Sequence, residues 1–275
     1  MNNHVFAKVI WLGAGIPDGL YNELFGSHRK AVNLAFGRQV ISICNRDLCP
    51  GPFRIVLDLE DVSEVRQLSI RYGEIVLNDV VCASADAAIY RVPDFRRVLA
   101  QAEFDRRLES VFQLFQQRLP AQCIASLLKN EGSSPACFDA ALGTLYRKGV
   151  QHFAQGDYAG GVSCFKGRGF GLTPGGDDFL SGFMLGLAYQ QIRQKKSLSE
   201  IMDLLFYESL SENLLSNTFL TQAYRLQPDR DWAEFLLALE SQTASLPELM
   251  ARICAIGATS GYDTLSGFFA AWEML

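Results

Sequence analysis

Histidine is scarce in this chain, three in 275 residues, and the seven cysteines (44, 49, 82, 123, 137, 164 and 254) form an odd set without a Cys-x-x-Cys pair. Those shortages argue against a structural zinc site and against a disulfide framework, so the cysteines read as reduced and mostly buried. No apolar run approaches the roughly 20 residues that cross a bilayer, and the first residues lack a signal peptide's pattern of charge, apolar stretch and cleavage site. A cytoplasmic protein with no membrane partner is expected. Basic charge is also short: 25 Lys and Arg against 30 Asp and Glu leave a formal charge of −5, with no basic stripe for a phosphate backbone. Nucleic acid is therefore not an expected partner. What the chain does have is apolar mass, 49% hydrophobic residues, enough for a real core in one large domain or two modest ones.

Glycine is concentrated in one place. The stretch Gly167 to Gly182 holds six glycines, Pro174 and the adjacent carboxylates Asp177 and Asp178, then runs into Phe183-Met184-Leu185-Gly186-Leu187-Ala188-Tyr189, a composition that suits a buried helix. Glycine in regular structure is worth about 0.5–1 kcal/mol less than alanine, so such a loop implies a need for bare backbone. A glycine loop ending at a helix start can hold an anion, because the first-turn N–H groups lack partners and the helix dipole is positive there. On this reading one of Asp177 and Asp178 caps the helix and the other holds a cation or a substrate N–H. The bland alternative is a tight, shielded turn with an Asp cap.

A second copy strengthens the functional reading. Gly257-Ala258-Thr259-Ser260-Gly261-Tyr262-Asp263-Thr264-Leu265 repeats the Gly-x-Thr-x-Gly-x-Asp frame of Gly171 to Phe179, and Ser266-Gly267-Phe268 echoes Ser181-Gly182-Phe183 with one residue dropped. If the two starts face each other, their dipoles and N–H groups converge on one anion-sized space.

The predicted fold class is α+β: a β-rich domain over 1–94, a curled sheet or small barrel, then an all-α domain over 95–275 that carries both loops. Strands are expected at Val5 to Leu12, Ala31 to Phe36, Gln39 to Cys44, Phe53 to Leu59, Glu74 to Val81 and Ala87 to Val92, with a helix over Asp61 to Arg71. Gly13-Ala14-Gly15 after the first strand imitates a dinucleotide fingerprint, but the third glycine and the downstream acid are out of place. Beyond Pro93, apolar periodicity predicts helices from Phe95 to Phe115, Gln122 to Lys129, Pro135 to Gln155, Asp177 to Arg193, Leu198 to Leu210, Ser211 to Leu226, Asp231 to Ser241, Pro247 to Ile256 and Asp263 to Met274. His28 and Arg29 are candidates for an anionic substrate, or simply a solvated turn. Ser216, Asn217 and Thr218 fall inside a helix, where such residues compete with the backbone; they either face the site or satisfy helix contacts.

The run Gly171-Leu172-Thr173-Pro174-Gly175-Gly176-Asp177-Asp178-Phe179-Leu180-Ser181-Gly182 resembles the signature of a bacterial family typified by AllH, a subunit of oxamate carbamoyltransferase. Supporting matches are Ser27 with Ala31 to Leu34, the Gly51-Pro52 turn, Leu215 to Leu220, and Thr259 to Asp263; Tyr262 stands where the family commonly has Trp, and Ala258 where it has His or a small residue. The resemblance implies conversion of oxalurate and phosphate to oxamate and carbamoyl phosphate in allantoin use, together with two other subunits.

Carbamoyl transfer passes through a tetrahedral carbon whose oxygen gains charge, so preorganised donors supply most of the catalysis. The expected donors are the backbone groups of Gly171, Gly175, Gly176 and Gly261, with Thr173, Thr259 and Ser260 adding hydroxyls and Lys166 or Arg168 neutralising phosphate. Asp177, Asp178 and Asp263 supply the carboxylates, with Asp177 and Asp178 as ligands of a possible divalent cation such as Mg. The chain shows no Ser-His-Asp set and no Cys-His pairing at local spacing, which argues against a covalent acyl enzyme. The competing readings are a non-catalytic anion-binding or scaffold subunit and a metal-dependent hydrolase of a small carbamoyl or acyl compound.

Overall fold

The computed structural model describes residues 7–129, 138–241 and 245–273; the expected element ends at 5–6, 135–137 and 274 lie outside them. The chain divides into two compact units, residues 1–93 with 228–230, and 94–227 with 231–275. Among the described residues no helix is long and apolar enough to cross a membrane.

The N-terminal unit is built from β1 (Val9–Gly13), β2 (Gly19–Tyr21), β3 (Glu23–Ser27), β4 (Ala31–Phe36), β5 (Gln39–Cys44), β6 (Arg54–Leu57), β7 (Leu68–Arg71), β8 (Glu74–Leu77), β9 (Val80–Val81) and β10 (Ala88–Tyr90). They form a six-stranded sheet in the order β10-β1-β6-β5-β4-β3 and a four-stranded sheet in the order β2-β7-β8-β9. The first sheet is mixed, with β1 parallel to β10 and β5 parallel to β6. Alternation places Val32 and Leu34, Ile41 and Ile43, Ile55 and Leu57, Leu68 and Ile70, and Ile75 and Leu77 in one buried cluster.

The helix expected over Asp61 to Arg71 is not there. Val62, Val65, Leu68 and Ile70 are buried, but the segment runs as an irregular stretch into β7, pinned by Asn78, whose Oδ1 accepts from the N–H groups of Arg66 and Gln67. Asn78 and Asp79 are left-handed (φ 47° and 66°) and split the strand expected from Glu74 to Val81 into β8 and β9. Gly13 owes its identity to packing: a Cβ there would lie 2.2 Å from the Pro52 carbonyl oxygen, and Gly15 N–H donates to that same oxygen at 3.0 Å. Within this unit half-buried Arg54 pairs with buried Asp229 at 2.9 Å.

The helical unit comprises α1 (Gln101–Gln116), α2 (Ile124–Lys129), α3 (Phe138–Ala154), α4 (Tyr158–Phe165), α5 (Gly175–Gln194), α6 (Ser199–Ser209), α7 (Leu214–Tyr224), α8 (Arg230–Leu239), α9 (Leu246–Cys254) and α10 (Ser260–Glu273). Helix α4 was hidden in the sequence by Gly160 and Gly161; a Cβ on Gly161 would lie 2.3 Å from the Phe153 ring, so its glycine lets α4 close onto α3. Helix α1 begins at Gln101 rather than Phe95, because Val98 and Leu99 spend their N–H groups on the Glu240 carboxylate. Glu240 in turn pairs with buried Arg193, whose guanidinium lies 3.6 Å from the centre of the Phe104 ring.

Helix α5 is the axis of this unit: it is buried on every side from Gly175 to Gln190, as an all-round apolar helix must be. It runs parallel to α10. A Cβ on Gly182 would lie 1.8 Å from the Thr264 carbonyl oxygen, one on Gly267 1.9 Å from that of Phe179, and one on Gly186 2.7 Å from the Ala271 Cβ. These near contacts advance together along both helices, which sets the two N-termini side by side.

Candidate functional site

The site lies where α5 and α10 begin. Gly167, Gly169 and Gly171 have φ of 68°, 106° and 104°, a left-handed conformation at alternate residues that L side chains rarely adopt. The loop turns Arg168, Phe170 and Leu172 outward, with Phe170 66% exposed. It is nevertheless held at each end: Asp177 Oδ1 accepts from Gly167 N–H at 2.7 Å, Gly176 N–H donates to Arg168 O at 2.8 Å, and Asn213 Nδ2 donates to Leu172 O at 2.8 Å.

Neither Asp177 nor Asp178 caps α5, contrary to the expectation. Pro174 (φ −55°, ψ 139°) takes the N-cap position, and both aspartate N–H groups donate to its carbonyl. Proline's fixed φ starts the helix at Gly175, two residues earlier than foreseen, and turns both carboxylates toward the helices around them. Asp178 Oδ2 accepts from the Thr173 hydroxyl at 3.2 Å, and its carboxyl is also hydrogen-bonded by Ser260, so it ties one glycine-rich start to the other. Asp263 accepts from Ile124 N–H at 2.7 Å, supporting the first turn of α2, and from the Thr259 hydroxyl. Its Oδ2 stands 2.9 Å from where a Cβ on Gly175 would be, so the carboxylate from one start needs the glycine of the other.

The three carboxyl groups are 2%, 6% and 2% exposed at Asp177, Asp178 and Asp263. Burial pushes Asp263 up to about 7 and Asp178 well above the usual carboxylate range, against the hydrogen bonds that each accepts. The space between the starts is therefore lined by acids, whose charge or bound protons meet the positive helix ends before any ligand does.

Several expected donors are already engaged. Gly176 N–H is taken by Arg168 O, and Gly261 N–H donates to Ile256 O at 3.1 Å. Gly175 N–H makes no hydrogen bond among the described residues. Gly171 sits in the outward loop, and the Lys166 ammonium donates to Glu208 O at 2.9 Å, while Arg168 is exposed. In α7, Asn217 holds both backbone groups of Ser211 and Thr218 donates to Leu214 O, but the Ser216 hydroxyl is buried without a partner. His28 and Arg29 belong to the N-terminal unit, where His28 closes a tight turn with Ala31 and Arg29 pairs with Glu60 at 3.8 Å.

The donor set does not fit a divalent ion. Asp177 and Asp178 direct oxygens to different partners, and no group of three or more His, Cys, Asp or Glu side chains able to hold a metal occurs among the described residues.

Tyr146, absent from the sequence reading, belongs to this site. It comes from α3, stacks on Phe165 with ring centres 5.0 Å apart, and is 1% exposed. A Cβ on Gly169 would meet its hydroxyl at 3.3 Å and Gly175 N at 2.9 Å, so loop, phenol and helix start come together. Burial and the nearby charges of Asp263 and Asp177 hold the phenol protonated well beyond its usual range. Nothing local marks Tyr146 in the sequence, where it is one more apolar position on the face of a helix.

Residues 165–272 match the family model described as "Oxamate carbamoyltransferase subunit AllH". Comparison with curated proteins and with solved structures gave no match. The matched stretch begins at the end of α4 and runs through both glycine-rich starts to the last turn of α10, and the family's name supports the general role of a carbamoyltransferase subunit. Over residues 165–272, the chain is similar to the AllH family.

Proposed function

We propose that this chain is one subunit of a carbamoyltransferase that converts oxalurate and phosphate to oxamate and carbamoyl phosphate, with two other subunits, and that the paired helix starts hold the reacting group. The observation that carries the reading is a coincidence of position: the stretch that matches the family model, residues 165–272, is the one that carries buried Asp177, Asp178 and Asp263.

In this reaction a phosphate oxygen attacks the carbamoyl carbon, the carbon–nitrogen bond to the oxamate portion breaks, and the departing nitrogen takes a proton. Gly175 N–H is the backbone donor left open for the carbamoyl oxygen as charge develops there. Asp263, which burial raises to about 7, and Asp178, which burial also raises, are groups of the kind that give a proton to a leaving nitrogen. Phosphate is poorly matched to three buried acids, so the exposed Arg168 at the loop, or a residue of another subunit, is the better place for it.

A specific observation favours a second reading, a non-catalytic subunit: each carboxylate already has a structural duty, on Gly167, Ile124 or Thr173. Co-expression with the neighbouring genes, followed by a phosphate-dependent oxalurate assay, separates the two. Turnover by the assembly, little or none by the lone chain, and loss of turnover in an intact Asp177→Asn assembly support catalysis. Loss of assembly in that variant supports the scaffold, and full activity from the lone chain would overturn the subunit reading.

A further inference from the structure

Beside the loop of residues 167–171, polar groups of Asp177, Tyr146 and Gly175 stand together without hydrogen-bond partners among the described residues. Asp177 is 2% exposed; Oδ1 is taken by Gly167 N–H, and Oδ2 is buried with no partner. The Tyr146 hydroxyl and the Gly175 N–H make no hydrogen bond among the described residues. A single point, where a Cβ on Gly169 would project, lies 2.9 Å from Gly175 N and 3.3 Å from Tyr146 Oη. Both donors thus border the side of Gly169 that carries no side chain, and its φ of 106° is one that favours glycine.

We propose that Tyr146, Gly175 and Asp177 form a primary-amide subsite, in which the ligand's carbonyl oxygen accepts from the Tyr146 hydroxyl and the Gly175 N–H while its NH₂ donates to Asp177 Oδ2. The assignment rests on the proposed function for its place in a reaction, since the carbamoyl end of oxalurate and the product oxamate each present a primary amide. Its chemistry follows from the leftover groups. Two donors and one buried acceptor complement a carboxamide, which offers one carbonyl and two N–H groups. A carboxylate or phosphate has no proton for Asp177 and would add charge beside Asp178 and Asp263. A metal ion would face an N–H and a phenol, neither of which can ligate it as it stands. Leaving Asp177 Oδ2 buried and unpaired is costly in the free protein, and an N–H from the ligand removes that cost on binding. Tyr146 is a binding residue here, and its burial by Phe165 fixes the hydroxyl's position before the ligand arrives.

The test is calorimetric titration of the purified full chain with oxamate and with oxalate, which differ in the replacement of the amide by a second carboxylate. Oxamate should bind and oxalate should bind at least tenfold more weakly, the discrimination expected when buried polar groups lose their partner. Tyr146→Phe should weaken oxamate about tenfold with the melting temperature retained, and Asp177→Asn, which turns a donor toward the ligand's NH₂, should abolish it. If Asp177→Asn fails to fold, Tyr146→Phe decides alone. Equal binding of the two anions, no oxamate binding by the wild-type chain, or unchanged affinity in Tyr146→Phe would overturn the subsite. Failure here is separable from failure of the proposed function. An assembly that transfers the carbamoyl group with KM unmoved by Tyr146→Phe retains the function and loses the subsite; a chain that discriminates through Tyr146 within an inactive assembly does the reverse.

Discussion

Helix α4 passes through residues 166–174 into α5, and α9 passes through 255–259 into α10; in both, the second residue of the later helix is a glycine set against the end of the earlier one. A Cβ on Gly176 would lie 1.9 Å from the Phe165 carbonyl oxygen, and one on Gly261 1.9 Å from that of Ile253. Farther along, Gly182 and Gly267 repeat the correspondence across the α5–α10 contact. The loops differ. The first carries three left-handed glycines, an exposed Phe170 and the leftover polar groups around Asp177; the second has a single left-handed glycine, Gly257, and its Asp263 is committed to α2 and Thr259. What the two starts share is close packing, so the shared glycines serve architecture, and whatever is specific to a ligand belongs to the longer loop.

The largest effect should come from breaking the shared part. Gly182→Ala and Gly267→Ala each drive a methyl into a backbone carbonyl that cannot rotate away, at 1.8 and 1.9 Å, and should cost about 3 kcal/mol or more in urea unfolding. The two costs should be similar, because the contacts are reciprocal. Gly257→Ala meets Ser260, its Oγ at 3.1 Å and Cβ at 3.3 Å, in addition to its positive φ, and should cost nearer to about 1–2 kcal/mol. A mild Gly267→Ala would mean that the two halves of the contact are not equivalent.

A smaller effect sharpens the comparison of carboxylates. The folded pKa of Asp263, about 7, lies above its ordinary value of 3.8, so the folded state binds the extra proton. Stability therefore falls as pH rises between those values and levels off above the upper one, by up to about 4 kcal/mol at ~1.4 kcal/mol per unit, before Asp178 adds a change of the same sign. Asp263→Asn removes one titrating proton, and its urea midpoint should vary less between pH 4 and 7 than the wild type's. An identical pH profile in the variant would show that Asp263 ionises in the fold as freely as in the unfolded chain.

Much of this was legible beforehand, and the misses share a cause. Hydrophobic alternation marked β4 and β5 to the residue, and the repeated Gly-x-Thr-x-Gly-x-Asp frame pointed to two helix starts in one place. Two sequence expectations gave way to tertiary contacts: the helix over Asp61 to Arg71 to the pinning by Asn78, and the start of α1 to the hydrogen bonds that Val98 and Leu99 donate to Glu240. The role of the acids could not be read from the motif, because a motif shows that Asp177 and Asp178 begin a helix but not that Pro174 already caps it. Tyr146 lay beyond reach for the same reason, since only the fold of α3 brings it to residues 169–177.

The smallest effect concerns the one residue that joins the two starts. Thr173 and Ser260 come from different loops and both hydrogen-bond the Asp178 carboxyl, one of three buried acids at this end of the unit. Thr173→Val and Ser260→Ala should each cost about 1–2 kcal/mol, the loss of one hydrogen bond to a buried group. Because the two share an acceptor, the double variant should depart from the sum of the singles by about 0.5–1 kcal/mol, as contacts within one network do. The direction is informative as well. Each hydroxyl holds the Asp178 pKa down against burial, so removing one raises it and shifts the carboxyl toward its neutral form, in which loss of the second donor matters less. The double variant should therefore be more stable than additivity gives at pH 7, and the departure should shrink as pH is lowered, because acid protonates Asp178 in every variant. A cycle that closes additively at both pH values would show that the two starts are packed side by side without being electrostatically joined, and Asp178 would then belong to the first loop alone.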